Sequence, residues 1–173
     1  MNLRPVLDAI LEQYTLHLEG IHGIVHWARV LENGRRLCEE TDADPEVVSL
    51  FAILHDSCRH DDGYDPDHGP RAAEYAGELG HEFLGIDEQR HRLLMRACEG
   101  HTLERFHDDI TIQVCWDSDR LDLGRIGIIP DPERLNTDFA KQRDTIDWAY
   151  HRGSREFVPP FVKDEWGIEL REY

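Results

Sequence analysis

The sequence predicts an all-α protein folded as one helical bundle of about six to seven helices. Apolar residues recur at three- and four-residue spacing along most of the chain, as Ile112, Cys115 and Trp116 do, and this spacing is typical of amphipathic helices. Short segments rich in Gly, Pro and Asp interrupt these stretches and are expected to form the connections. The 173 residues suffice for one hydrophobic core, so we expect a single domain over residues 1–173.

Seven helices are predicted in chain order. We expect them to cover residues 3–18, the segment after Gly23 up to Glu40, the segment from Pro45 to the vicinity of His55, and residues 70–79, 87–100, 110–123 and 136–150. Pro5 is compatible with the opening turn of the first helix, where a backbone N–H is not needed. Asp44 followed by Pro45 predicts the start of the third helix, because Asp caps free N–H groups and Pro favours the first helical position.

Turn-forming residues separate the helices. Residues 60–69 (HDDGYDPDHG) are dense in Asp, Gly and Pro, which predicts a loop between the third and fourth helices. Gly124 and Pro130 predict a break after the sixth helix. The region 131–173, with its tail from Gly153, is expected to pack on the rest of the chain.

Four polar residues lie on helix faces that are otherwise apolar. Asp119 follows the apolar positions of the sixth helix, His55 follows those of the third, and His26 precedes those of the second. Asp56 adjoins His55. An ionised carboxylate in an apolar interior is unfavourable unless a positive charge meets it. Two imidazoles and two carboxylates that face a common interior are donors for a divalent metal ion, and we predict such a site here.

Three short motifs occur in order along the chain: residues 26–30 (HWARV), 54–59 (LHDSCR) and 117–122 (DSDRLD). In order and spacing they resemble the HD superfamily of metal-dependent phosphohydrolases, which is named for its His-Asp doublet. The resemblance spans residues 20–130 and implies an HD-type helical fold. It also implies that the family's metal ligands correspond to His26, His55, Asp56 and Asp119. Ser118 replaces the family's usual Ala before the last Asp, and both residues are small.

The resemblance extends to two more histidines. In HD proteins with extra histidines between the doublet and the last Asp, these residues bind a second metal ion or the substrate phosphate. This implies the same role for His68 and His101. Alternatively, His68 caps the helix that follows it, and His101 is a core histidine.

Further polar residues are predicted around the metal. Arg59 is expected to bind the substrate phosphate bidentately, or else to pair with Asp61 or Asp62. His22 is expected to cap the second helix or to contact the substrate phosphate. Two more residues are expected to orient the metal ligands from outside the coordination sphere: Asp122 and Arg29.

These residues predict catalysis by a metal ion. Ser57 has no free histidine to activate it, and no nucleophile elbow or phosphate-binding glycine-rich loop is present. The resemblance implies hydrolysis of a phosphoester in a small molecule, for example a nucleotide, with a metal-bound water as nucleophile. The mixed nitrogen and oxygen donors favour Mn, Fe, Co, Ni or Mg, and one or two ions are expected.

Two alternatives remain at this point. An HD-type di-iron oxygenase would need both His68 and His101 as ligands. A binding or regulatory module would keep the metal for stability alone and would not turn over any phosphoester.

Composition narrows the class of protein. The formal net charge of −17 argues against a protein that mainly binds DNA or RNA, since that task needs a basic face. The chain has no apolar run near the roughly 20 residues that span a membrane. The cysteines have no CxxC spacing and no secretory signal precedes them, so we expect reduced thiols and a cytoplasmic location.

Overall fold

A computed structural model describes residues 1–170, and in that part of the chain the architecture is all-α with no strand. Eight α-helices are present: α1 (Arg4–Gln13), α2 (Ile24–Cys38), α3 (Pro45–Leu54), α4 (His68–Leu84), α5 (Glu88–Gly100), α6 (Ile110–Arg120), α7 (Arg143–Ser154) and the short α8 (Phe161–Asp164). Two 3-10 helices cover Leu121–Ile126 and Pro132–Arg134. The all-α prediction is therefore confirmed. The last three residues of the predicted tail, 171–173, lie outside the described residues.

Aspartate caps define the beginnings of three helices. The side chain of Asp44 accepts hydrogen bonds from the backbone N–H groups of Glu46 and Val47, as predicted for the start of α3. Asp87 and Asp109 cap α5 and α6 in the same way. These three helices consequently begin within a residue of their predicted positions.

Several predicted helix bounds are wrong. α1 ends at Gln13 rather than at residue 18, because Tyr14 adopts an extended conformation. α4 begins at His68, two residues inside the predicted loop, and continues past Gly80, which has φ 77° and interrupts the helical geometry. α6 ends at Arg120, where the chain tightens into a 3-10 helix.

The largest error concerns α7, which begins at Arg143 instead of residue 136. The buried carboxylate of Asp117 accepts hydrogen bonds from the backbone N–H groups of Asn136 and Thr137 and from the Thr137 hydroxyl. These bonds fix residues 136 and 137 in a turn against α6. The helix consequently starts later, in a segment that packs against the 3-10 helix Leu121–Ile126.

The core lies between α2, α3 and α6, while α4 and α5 pack together beside α3. Trp27, Phe51 and Trp116 are among the largest fully buried side chains. Gly34 allows close packing here, since a Cβ at this position would lie 2.5 Å from Val48 Cγ1. The C-terminal segment also contacts the body, because Trp166 is 2% exposed and its carbonyl accepts a hydrogen bond from Arg4. No helix within residues 1–170 has the length and apolarity that a transmembrane segment requires.

Candidate metal centre

Five helices bring a cluster of histidines and aspartates together in the interior. His26 is the third residue of α2, His68 is the first residue of α4, and Asp119 lies in the last turn of α6. His55 and His101 are the C-cap residues of α3 and α5. Each helix thus contributes a side chain near one of its ends, where the backbone leaves room for an imidazole or carboxylate to turn inward.

The first group of donors consists of His26, His55 and Asp56. The Nε2 atoms of the two imidazoles lie 3.1 Å apart. Asp56 Oδ2 lies 3.4 Å from His26 Nε2 and 3.5 Å from His55 Nε2. Three donors at these separations surround a point at which each can reach a metal ion, since ligand bonds are about 2.0–2.3 Å long.

Asp119 extends this first group. Its Oδ1 atom lies 3.4 Å from His26 Nε2 and 3.7 Å from His55 Nε2. The structure therefore brings all four residues for which the sequence predicted a shared metal into one cluster.

The second group consists of Asp56, His68 and His101. The Nε2 atoms of His68 and His101 are 2.9 Å apart, and they lie 3.1 and 3.9 Å from Asp56 Oδ1. Both histidines are buried and turned inward. At the start of α4, Nδ1 of His68 meets the carbonyl of Asp65, so this nitrogen does not cap a free N–H group of the helix.

Asp56 belongs to both groups through different oxygen atoms. Oδ2 faces His26 and His55, whereas Oδ1 faces His68 and His101. A carboxylate in this position can bridge two cations, as in two-metal sites whose ions are about 3.5–4 Å apart. The two overlapping groups can hold one or two metal ions.

Hydrogen bonds on the outer nitrogens determine how the histidines are protonated. Nδ1 of His101 lies 2.7 Å from the carbonyl of Cys98, and Nδ1 of His55 lies 3.2 Å from the carbonyls of Phe51 and Ala52. Nδ1 of His68 similarly meets a carbonyl, that of Asp65. A carbonyl can only accept, so each Nδ1 carries the hydrogen. In a neutral imidazole with its hydrogen on Nδ1, the inward-facing Nε2 carries the lone pair that a metal ligand needs.

His26 has the same arrangement with a carboxylate in place of a carbonyl. Its Nδ1 lies 2.7 Å from Asp122 Oδ2. Arg29 donates from Nε to the other oxygen of Asp122 at 2.7 Å and from Nη2 to Oδ2 at 3.1 Å. Asp122 is 1% exposed and Arg29 5% exposed. The chain Arg29–Asp122–His26 holds the imidazole from the side opposite the cluster, and an effect of Asp122 and Arg29 on a bound metal stays a prediction.

The charge distribution of this cluster favours a cation. Burial alone would raise the pKa values of Asp56 and Asp119, yet the surrounding histidines hold both well below the usual range. Burial and Arg125 would lower the pKa of His26, but hydrogen bonds to Asp119, Asp122 and Asp56 raise it to about 9. In the absence of a metal ion, the cluster therefore retains a proton on His26. Buried lone pairs that face one another and two ionised carboxylates fit a divalent ion.

Arg59 lies beside the second group rather than at the surface. It is 7% exposed, and its Nη1 is 3.4 Å from Asp56 Oδ1. Nε and Nη2 donate to the backbone carbonyls of Asp61 and Gly63. The ion pair is thus with Asp56, and Asp61 contributes its carbonyl rather than its carboxylate. Contact between Arg59 and a substrate stays a prediction.

His22 lies close to the cluster but outside it. It precedes the start of α2, so it does not share a helix face with His26, and the two ring centroids are 6.2 Å apart. Its Nδ1 lies 3.0 Å from Asp62 Oδ1, and burial lowers the pKa of its imidazole to about 4. His22 makes no contact with the other donors that would make it a metal ligand, and its role toward substrate stays a prediction.

Thr102 also contacts the second group of donors, although the sequence pattern did not predict it. Its hydroxyl oxygen lies 3.0 Å from His68 Nε2 and 3.2 Å from His101 Nε2. Because both Nε2 atoms carry lone pairs, the hydroxyl can donate to one of them, and its oxygen then faces the second position. The adjacency of Thr102 to His101 was the available signal, but periodicity placed Thr102 beyond the end of the helix.

Solvent reaches the cluster most easily at Asp119. Its side chain is 20% exposed, whereas those of His26, His55, Asp56, His68 and His101 are all between 0 and 5% exposed. An ion or a small anion would therefore approach from the α6 side.

Comparisons with models of protein families, with curated proteins and with solved structures found no match for this chain. The all-α fold and a buried His/Asp cluster that could hold a metal ion are shown by the structure alone. Function is inferred from the chemistry of that cluster.

Proposed function

We propose that the chain is an HD-type, metal-dependent phosphohydrolase that cleaves a phosphoester of a small molecule such as a nucleotide. The observation that carries this proposal is the position of Asp56, whose two oxygens face two separate pairs of histidine Nε2 atoms. Such a dinuclear donor set is suited to binding both the attacking and the leaving oxygen of a phosphoryl group. The motif order that resembles the HD superfamily supports the same assignment.

Each residue would have a distinct task. His26, His55, Asp56 and Asp119 would hold the first ion, and His68 and His101 would complete the second position with Asp56. Bound divalent ions would lower the pKa of water and polarise a phosphoryl oxygen. Asp122 and Arg29 would keep His26 in the tautomer that binds metal. Thr102 would donate a hydrogen bond to an oxygen of the phosphoryl group.

The surroundings of Ser57 support a mechanism without a protein nucleophile. The Ser57 hydroxyl donates to the carbonyl of Leu54 at 2.7 Å and is 1% exposed. No histidine within the described residues is hydrogen-bonded to it, so nothing is in place to remove its proton.

The test compares Asp56→Ala with Ser57→Ala in protein reconstituted with Mn²⁺. We expect the wild type to release phosphate from one or more members of a panel of nucleotides and simple phosphoesters. Asp56→Ala should abolish this release and reduce bound metal, because it removes the ligand shared by both positions. Ser57→Ala should retain activity, since its hydroxyl bonds only to neighbouring residues. A metal-loaded wild type that hydrolyses no phosphoester would contradict the proposal.

A second candidate function is oxygenation by a di-iron centre. It is favoured by the inward position of both His68 and His101, which this chemistry requires. The same preparation reconstituted with Fe²⁺ under argon and then exposed to O₂ distinguishes the two. Oxygen consumption that depends on an added organic substrate, together with failure to release phosphate, would select the oxygenase.

A further inference from the structure

The two candidate cation positions differ in the fixed charges around them. At the first, Asp119 has ion pairs with His26 and His55 and none with an arginine or lysine within residues 1–170. At the second, the guanidinium of Arg59 lies 3.4 Å from Asp56 Oδ1, the oxygen that faces His68 and His101. A guanidinium therefore contacts the carboxylate of the second position directly, whereas Arg125 and Arg120 act on the first position only at longer range.

Two further hydrogen bonds hold Arg59 in this location. Its Nε and Nη2 atoms donate to the carbonyls of Asp61 and Gly63 at 3.1 and 2.9 Å. These loop residues are exposed, whereas the Arg59 side chain is 7% exposed, so the two bonds orient a guanidinium that is itself buried beside Asp56.

The contact with the Arg59 guanidinium leaves the in-plane lone pair of His68 available to a metal ion. Nη1 of Arg59 is equally distant, 3.2 Å, from Nδ1 and Nε2 of that ring. A nitrogen at equal distances from both ring nitrogens lies over the face of the imidazole, whereas the lone pair lies in the ring plane. His68 thus remains able to bind an ion, but that ion would lie close to a fixed positive charge.

The net charge of the cluster shows what a second divalent ion would require. Asp56 and Asp119 contribute −2 and Arg59 contributes +1, while Asp122 is neutralised by Arg29. One divalent ion brings the cluster to +1, and two bring it to +3. Because like charges repel strongly where water is excluded, the second ion requires an added anion.

We propose that Arg59 makes the two positions unequal, so that the His26–His55–Asp56–Asp119 position fills first and the Asp56–His68–His101 position fills tightly only together with an anion such as phosphate. The inference rests on the metal centre of the proposed function and extends it to the order of binding. A phosphoryl dianion would restore the charge balance, so the second ion and the anion strengthen each other's binding by the same factor.

The first experiment uses the wild-type chain, stripped of metal and titrated with Mn²⁺ in a calorimeter, with and without inorganic phosphate. We expect one tight site and one site at least about tenfold weaker, given the like charge at short range. Phosphate should tighten the weak site and leave the tight one nearly unchanged. His101→Ala should remove the weak step, and His26→Ala should remove the tight step. Two equal sites in the absence of phosphate would overturn the inference.

The second experiment changes the charge. Arg59→Gln should bring the two Mn²⁺ affinities within about threefold of each other and remove most of the effect of phosphate. Arg59→Lys, which keeps the charge, should retain the order of filling. Arg143→Gln removes a positive charge from a side chain that is 86% exposed and should behave as the wild type.

The outcomes separate the inference from the proposed function. Far-UV circular dichroism checks that each variant is folded. If Arg59→Gln does not fold, the wild-type titration with and without phosphate decides. Ordered binding without any phosphatase activity would support the inference and contradict the proposed hydrolase. Hydrolysis of a phosphoester by a protein with two equal sites would support the proposed hydrolase and contradict the ordered binding. A chain that binds no Mn²⁺ would overturn the proposed function and the inference together.

Discussion

The direction of each imidazole depends on what its outer nitrogen meets. His55 and His101 end α3 and α5, and their Nδ1 atoms donate to carbonyls of the last helical turn. The last carbonyls of a helix lack a following turn to bond to, and although that of Phe51 also accepts from the backbone N–H of His55, the histidines bond to this end of the helix while turning Nε2 inward. The C-terminal end of a helix thus both binds the imidazole and selects its tautomer.

Asp122 should matter for metal affinity although it does not face the metal. Asp122→Asn keeps the shape of the side chain but has one acceptor oxygen, which cannot serve both His26 and Arg29. We expect Mn²⁺ affinity to fall about 10- to 100-fold, as is usual when a partner of a metal-ligating histidine is lost. Calorimetry on the folded variant measures this. Asp138→Asn makes the same change on a fully exposed side chain and should have no effect, and an equal loss there would contradict the argument.

Asp65 gives a pH-dependent contribution to stability. A hydrogen bond from Arg71, helped by the backbone N–H of His60, lowers the pKa of Asp65 from 3.8 to about 2. Because the folded value lies below the unfolded one, the contribution is present above about pH 4 and is lost as the pH falls through 2.

We expect Asp65→Asn to reduce the free energy of unfolding at pH 7 by about 1 kcal/mol, after allowance for solvent screening. The substitution leaves the backbone carbonyl that meets His68 in place. Urea unfolding at several pH values measures the difference, which should shrink between pH 4 and pH 2. A difference that stayed constant over this interval would show that Asp65 is not the titrating group.

At the scale of helices, the second position depends on how closely α4 approaches α5. A Cβ at Gly69 would lie 2.7 Å from the carbonyl of Cys98 and 3.2 Å from Cε1 of His101. The first contact requires the backbone to shift, and the second requires the His101 ring to move by a few tenths of an ångström. Gly69 therefore permits the approach that places His68 and His101 together.

Gly69→Ala should separate α4 from α5 and weaken the second Mn²⁺ site while leaving the first. We also expect a loss of about 1–3 kcal/mol in stability, the usual effect of overpacking. Gly77→Ala is the matched control on the same helix, because a Cβ there meets only the flexible end of Met95 at 3.1 Å. Calorimetry and thermal unfolding of both variants make the comparison. Two intact Mn²⁺ sites in Gly69→Ala would refute the packing argument.

For the molecule as a whole, the candidate metal centre joins helices from both halves of the chain. An ion held by α2, α3 and α6 binds the folded state and not the unfolded one, so it should stabilise the entire fold. At a free Mn²⁺ concentration of about 100 times the dissociation constant, the gain is about 2.7 kcal/mol. This corresponds to a rise in Tm of about 5–10 °C for a chain of this size.

Thermal unfolding with Mn²⁺ and with EDTA measures this rise. Asp56→Ala should show almost none, since the ligand shared by both positions is gone. A wild-type Tm that does not respond to Mn²⁺, Fe²⁺, Co²⁺, Ni²⁺ or Mg²⁺ would remove the basis for a metal centre. A rise in Tm without turnover of any phosphoester or oxygenase substrate would instead favour the binding module.

The sequence by itself determined the helical class, the starts of α3, α5 and α6, and the candidate donors. These properties depend on local signals: apolar spacing shows which face of a helix is buried, and an aspartate cap satisfies N–H groups within its own first turn. His26, His55, Asp56 and Asp119 were found because each is a polar residue on an apolar face.

The tertiary structure decided the rest. The start of α7 depends on hydrogen bonds from the backbone N–H groups of Asn136 and Thr137 to the carboxylate of Asp117. Asp117 lies about twenty residues earlier in the chain. The bridging position of Asp56, the pairing of His68 with His101, and the charge of Arg59 beside them depend on distances between helices. Local spacing specifies the buried face of each helix but not how far apart the helices pack. That distance is set by the residues that meet between helices, such as Gly69 of α4 against Cys98 and His101 at the end of α5.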